Sequence, residues 1–358
     1  MRSSPVMTLP DGPIDIVGDV HGHRAPLERL LELLGYQTGG IHPEGRRLVF
    51  VGDLCDRGPD SPGVFELVMT AVAAGGAVCL FGNHELPLID PDPQGQRKAG
   101  NAWFFGDAAA LAKDEADFGP CRQATAAQRK RIAAFCDGLP IAAEHPALQV
   151  VHACWDAASL EFIRGFAGLS NTEIIIACHA RAAEHLAKAG LTERYPLARQ
   201  ALEERRREHA WQPDHGVTVE EQMLIDDLVP GEHIEQRENP LKVLTSGPER
   251  PAALPRWLGK KWRFLERLHW WEEQPPTRPT VFGHYWRQRR HQPVAPYDEH
   301  SALFGAARAQ DWLGPERLAM CIDYRWPENW HRPALAALRP DREELVFWDG
   351  ERLECRRG

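Results

Sequence analysis

The sequence predicts an α/β fold in which helices pack on β-sheet and a mostly helical segment is inserted into the second half. Two observations predict it. Strand-like apolar runs alternate with helix-period stretches from residue 14 onward, and five of those runs end in polar clusters, where α/β sheets place their ligands. Composition agrees. The 358 residues are 43% hydrophobic and 26% charged, with a net charge of -9, so the chain can bury a sizeable core and is neither low-complexity nor disordered throughout.

From Ile14 a short apolar run ends in GDVHG. RAPLERLLELLGY then has apolar positions three and four apart, the mark of an amphipathic helix, and RLVFVGD is the next strand. SPGVFELVMTAVAAGG reads as a helix stopped by glycines, and AVCLFGNHE as a buried strand leading into a polar turn. ALQVVHACWD and RPTVFGHYW are two further strands with polar ends, separated by about 130 residues that are mostly helix-like or irregular. ERLAMCIDYRW and EELVFWDGERLEC close the chain as strands.

This divides the chain into a core formed by residues 1–158 and 278–358 and a mostly helical cap over residues 159–277. Charge marks the insert: residues 201–240 carry 4 basic and 11 acidic side chains, whereas residues 256–291 carry 9 basic, 3 acidic and five tryptophans. Within it, RWLGKKWRFLERLHWW places Leu258, Trp262, Leu265 and Leu268 near helical spacing, which predicts an amphipathic helix with a buried tryptophan face. The competing reading is a substrate surface in which basic groups meet phosphates and a tryptophan stacks on a base.

No run approaches 18 apolar residues, and the first residues lack an apolar stretch followed by a small-residue cleavage site, so neither a membrane span nor a signal peptide is expected. The expected compartment is the cytoplasm. Eight cysteines without a CxxC pair suit reduced thiols packed as small hydrophobes rather than disulfides or a structural zinc site.

The polar clusters are Asp19 with His21, Asp53 to Arg57, Asn83 to Glu85, His152, and His284. Divalent metals need carboxylate, imidazole and amide ligands held rigidly, which strand ends provide. In GDVHG and GDLCDRG, flanking glycines let the backbone fold tightly while the side chains turn toward one point. A lone Gly-Asp at a strand end is usually a turn. GDVHG, GDLCDRG and GNHE in that order with helical spacers, followed by histidine at two more strand ends, form a conjunction that a set of turns does not explain.

GDVHG, GDLCDRGP, GNHE, VVHA and FGHY together resemble the calcineurin-like metallophosphoesterases, in particular their phosphoprotein-phosphatase branch. The segment from Gly52 to Glu85 is similar to the phosphatase module of bacterial polynucleotide kinase-phosphatases, their stand-alone bacterial relatives and diadenosine tetraphosphatases. The resemblance implies a β-sandwich flanked by helices, with two metals at one edge. It implies that Asp19 and His21 bind the first metal, that Asp53 bridges both, and that Asn83, His152 and His284 complete the second. It further implies His84 as general acid, Asp56 as the carboxylate orienting it, and Arg57 as the group gripping a phosphate oxygen. Hydrolysis would proceed by direct attack of a metal-bridging hydroxide. Manganese is the family expectation, although iron, zinc, nickel or cobalt suits the same ligands.

Two departures from the family bear on substrate. His152 is followed by Ala153 and Cys154 where the serine/threonine phosphatases carry two glycines, and Asp56 is present where symmetrical diadenosine tetraphosphatases replace it. The expected activity is hydrolysis of a phosphomonoester or phosphoanhydride in a small or nucleotide-like substrate. The alternatives are a bacterial serine/threonine protein phosphatase acting on a phosphoprotein and, from another class, an inactive metal-binding scaffold, against which the intact His84, Asp56 and Arg57 weigh. The acidic run of residues 201–240 disfavours a long nucleic-acid duplex. Around the metals, His23, Lys242 and Arg287 of the RQRRH motif are candidate substrate contacts, Glu85 is expected to fix its turn through backbone hydrogen bonds, and Asp323 is expected to support the metal ligands.

Overall fold

A computed structural model of the full chain describes residues 4–92, 98–208, 219–258, 261–290, 303–326 and 329–357. Three strands with almost wholly buried side chains, Ile14–Val17, Arg47–Phe50 and Ala77–Cys79, pair in parallel and are connected by the helices Arg24–Leu34 and Ser61–Ala73. The first helix ends at Gly35, whose φ of 95° satisfies the left-handed cap. The second starts at Asp60, whose side chain accepts from the Gly63 N–H, with Pro62 in its first turn. On the other edge of Ile14–Val17, the antiparallel strands Ala336–Arg339, Glu344–Phe347 and Arg352–Glu354 complete a six-stranded sheet.

A second, five-stranded sheet runs in the order Val6–Thr8, Ala142–His145, Leu148–Val151, Thr280–Phe282 and Ala319–Cys321. Strand alternation explains how the two sheets pack. Val49 and Ile16 join Val150, Val281 and Met320 of the other sheet in one core, whereas their neighbours Leu48, Phe50 and Val17 join Leu27, Leu30 and Phe65 of the helices in another. The molecule is thus a β-sandwich flanked by helices, as the family resemblance implies.

Between Leu148–Val151 and Thr280–Phe282 lie the helices Ala157–Arg164, Asn171–Lys188, Arg194–Glu208, Val219–Arg237 and Pro240–Ser246. The third and fourth of these build a small separate core from Tyr195, Leu202, Ile225 and Leu228, to which Phe264 is added. No described helix is long and apolar enough to cross a membrane.

The helix expected around residues 256–271 is corrected: Glu249–Leu258 and Lys261–Arg267 are paired antiparallel strands. Trp, Phe and Arg in alternation serve a two-residue period better than a helical one, and Phe264 points into the small core while Arg263 is exposed. The side chains of Leu258 and Trp262 lie outside the described residues. Trp270 and Trp271, at the end of the same stretch, are buried against Phe282 in the main core.

Candidate metal centre

Six strands end at one edge of the sandwich, three from each sheet, and each is followed by a polar cluster. Asp19 and His21 follow Ile14–Val17, Asp53 to Arg57 follow Arg47–Phe50, and Asn83 to Glu85 follow Ala77–Cys79. His152, His284 and Asp323 follow Leu148–Val151, Thr280–Phe282 and Ala319–Cys321, which run parallel to one another. The sheets therefore deliver these side chains to a common point from two sides.

Backbone bonds lock the turns together. The N–H groups of Val20 and His21 both donate to the carbonyl of Asp53, at 3.0 and 2.9 Å, and that of Gly283 donates to His152 at 2.8 Å. Glu85 is fully buried, and its carboxylate accepts from the N–H groups of Asp53, Leu54 and Gly82 at 2.8, 2.8 and 2.9 Å. Of the eight non-glycine residues with positive φ among those described, six are here: His21, Asp53, Asp56, Arg57, His284 and Trp286. Such backbone is disfavoured and persists only where its surroundings enforce it. Gly283 serves the same packing, since a Cβ there would collide with the Asp19 carboxylate.

The ring orientations test whether cations fit. Nδ1 of His152 lies 2.9 Å from the Val51 carbonyl and Nδ1 of His21 lies 3.0 Å from the Cys55 carbonyl. Each of these nitrogens must donate its proton, which fixes the tautomer that aims an Nε2 lone pair inward. His152 Nε2 faces Asp53 at 3.3 Å, and His21 Nε2 lies 3.8 Å from Asp53 and 3.9 Å from Asp19. The Asn83 amide stands 2.9 Å from His284 Nδ1 and 3.2 Å from His152 Nε2. Carboxylate, imidazole and amide groups thus present acceptors to shared points around Asp53, whose ligand atoms cluster with His21 and His84 on one side and with His152 and His284 on the other. This donor set suits borderline divalent metals.

The charge balance points the same way. Burial lowers His152, but the neighbouring Asp53 and Asp19 carboxylates override it and raise the imidazole to about 10. Asp53 is held well below the usual carboxylate range although burial pushes it upward, because His152, His84 and His21 surround it. The cage draws positive charge, and a proton on His152 would be released on metal loading.

At the mouth, the guanidinium nitrogens of Arg57 lie 2.9 Å from His21 Nε2 and 3.0 Å from His84 Nε2. His84 in turn has Nδ1 at 2.6 Å from Asp56. Sequence reasoning missed Trp103, whose indole N–H reaches the second oxygen of Asp56 at 2.6 Å, and Lys98, which donates to the Asn83 carbonyl at 2.6 Å. Neither lies in a motif, and no local pattern marks them.

The outer candidates divide. Asp323 accepts from the Trp286 N–H at 3.0 Å, and burial first and then the Asp323 charge raise Asp19. His23 is half-buried at the start of its helix, and burial together with Arg57 lowers it to about 4. Lys242 is half-buried and pairs with Glu235 at 3.3 Å. Arg287 is corrected as a substrate contact: it is fully buried and donates to the carbonyls of Arg308, Asp311 and Cys321. Arg289 is likewise buried, on Asp349 and Glu351, so neither of these two arginines of the RQRRH motif is free to meet substrate; Arg290 is exposed, and His291 lies outside the described residues.

Comparison with known proteins adds the following. Residues 12–144 match the family model of the calcineurin-like phosphoesterases. The bis(5'-nucleosyl)-tetraphosphatase PrpE (asymmetrical) of Geobacillus sp. strain WCH70 is 45% identical over 74 residues, and that of Oceanobacillus iheyensis 50% identical over 74 residues. These matches cover 20% of this chain and 30% of each relative. Among solved structures, a cold-active protein-tyrosine phosphatase from Shewanella is similar over 98% of this chain and 83% of its own, with 12% identity and a TM-score of 0.44.

Proposed function

We propose that this chain, whose residues 12–144 match the calcineurin-like phosphoesterase family model, is a dinuclear metal-dependent phosphatase acting on a small or nucleotide-like phosphoester or phosphoanhydride. The observation that carries the reading is the convergence of Asp19, His21, Asp53, Asn83, His152 and His284 on one sandwich edge with acceptor atoms facing inward. Asp19, His21 and Asp53 would hold one cation, and Asp53, Asn83, His152 and His284 the other, with manganese as the proposed metal. Bound there, the cations would neutralise phosphoryl charge and make water nucleophilic near neutral pH.

The chain's own groups do the rest. Arg57 presents two N–H groups across the mouth and suits bidentate capture of phosphoryl oxygens. His84, oriented by Asp56, is placed to protonate the leaving oxygen. Glu85 and Asp323 hold the turns that carry Asp53 and Trp286. The insert of residues 159–277 would act as a cap, and the protein would work in the cytoplasm.

The relatives are named for bis(5'-nucleosyl) tetraphosphates, which supports a nucleotide-like substrate here. The test is phosphate release by metal-stripped, manganese-reloaded enzyme, with kcat/KM compared between diadenosine tetraphosphate and a phosphopeptide. A ratio well above one is expected. A ratio well below one would make the protein a phosphoprotein phosphatase.

A further inference from the structure

Trp286 lies two residues beyond His284, half-buried beside the metal centre, with a φ of 53°. Its N–H is tied to the Asp323 carboxylate at 3.0 Å. Two guanidinium groups lie over its indole ring: that of Arg57, 4.7 Å from the ring centroid, and that of Arg325. An indole face attracts such cations, so the ring gathers them at one place.

Arg325 is not on a loose loop. It belongs to the strand Tyr324–Trp326, pairs in register with Gln288, and accepts at its carbonyl from the Arg289 N–H at 3.0 Å. Its side chain is half-buried. Both guanidinium groups act on the single Asp323 carboxylate, and two cations beside one carboxylate suit an anion with charges spaced along a chain better than one with a single charge. Linked phosphates are such an anion.

We infer that Trp286 and Arg325 form a specificity element that selects substrates with at least two linked phosphates, Arg57 meeting the phosphoryl group under attack and Arg325 its neighbour. This rests on the phosphatase reading above and narrows it from phosphoesters in general to phosphoanhydrides. Trp286 acts as a positioning residue, setting the spacing of the two arginines.

The test compares inorganic tripolyphosphate with p-nitrophenyl phosphate on the full-length enzyme, with manganese in excess. In Arg325→Met the ratio of the two kcat/KM values should fall by about tenfold or more, the loss expected for a charge-assisted contact. Arg325→Lys, which keeps the charge without the fork, should fall less. Trp286→Leu should lower the ratio and Trp286→Phe should largely restore it. An equal fall on both substrates, or no change in the ratio, would overturn the inference.

A second measurement separates this from failure of the phosphatase reading. Metal-free wild type and Arg325→Met are titrated with tripolyphosphate and with inorganic phosphate, following tryptophan fluorescence. The preference for tripolyphosphate should drop by about tenfold in the variant. If the wild type hydrolyses neither substrate yet the variant loses that preference, the phosphatase reading fails while the anion site stands. If the preference is absent from the wild type or retained by the variant, the anion site fails.

Discussion

Nδ1 of His84 lies 2.6 Å from Oδ2 of Asp56, and the indole N–H of Trp103 grips the other carboxylate oxygen at the same distance. Asp56 is fully buried and held from two sides, so the imidazole cannot turn without breaking a short bond to it. Burial raises Asp56 and lowers His84.

His84→Ala should therefore lower kcat by about 10²–10⁴-fold on substrates with poor leaving groups and by much less on activated aryl phosphates, while metal content stays near wild type. A series of aryl phosphates of graded leaving-group pKa measures this. A variant as fast as wild type on the poorest leaving group would remove His84 from the role of acid.

Asp53 stands between both ligand clusters, so its loss should affect both cations. Asp53→Asn is expected to retain fewer metal ions per chain than wild type after manganese loading and desalting, as measured by elemental analysis. The same variant should lose most of the thermal stabilisation that metal gives the wild type, which is about 2.7 kcal/mol when free metal exceeds Kd a hundredfold.

Much of this site was legible because its residues are local in sequence: each motif sits at the end of an apolar run, and a run of that kind becomes a strand. The helix from Arg24 to Leu34 was equally legible from its apolar spacing. What escaped depends on partners far along the chain. Trp103 meets Asp56 across 47 residues, and nothing around it signals a hydrogen bond to a buried carboxylate. Arg287 reads as free charge next to a metal motif, but the carbonyls of Arg308 and Asp311 draw it inward. The hairpin ending at Arg267 was misread because Leu258, Trp262 and Leu265 satisfy helical spacing, while pairing with Glu249–Leu258 favours the extended form.

Glu85 joins two turns by accepting three buried N–H bonds. Glu85→Ala leaves those donors without an acceptor, and each orphaned donor costs about 1–3 kcal/mol, so the variant should lose about 3 kcal/mol or more in urea unfolding. Glu85→Gln keeps one acceptor oxygen and should fall between the two. A Glu85→Ala enzyme as stable as wild type would show that the turns hold without it.

At the far end of the sandwich, buried Arg46 donates to Asp341 through two nitrogens at 2.8 Å and also to Asp15. Hydrogen bonds from Arg46 hold the Asp341 carboxyl below its usual range. A carboxyl depressed in the folded state contributes its full stabilisation above the unfolded pKa of about 3.9 and loses it as pH falls through the lower folded value. Because the Asp341 side chain is 42% exposed, solvent screening limits the effect to about 0.5–1 kcal/mol. Asp341→Asn should therefore be less stable than wild type by that amount at pH 7 and at pH 5. The gap should narrow below about pH 4, as wild type protonates and comes to resemble the variant. Urea midpoints for both proteins across that range measure it, and a gap that stayed constant to the lowest pH at which both fold would trace the loss to packing rather than charge.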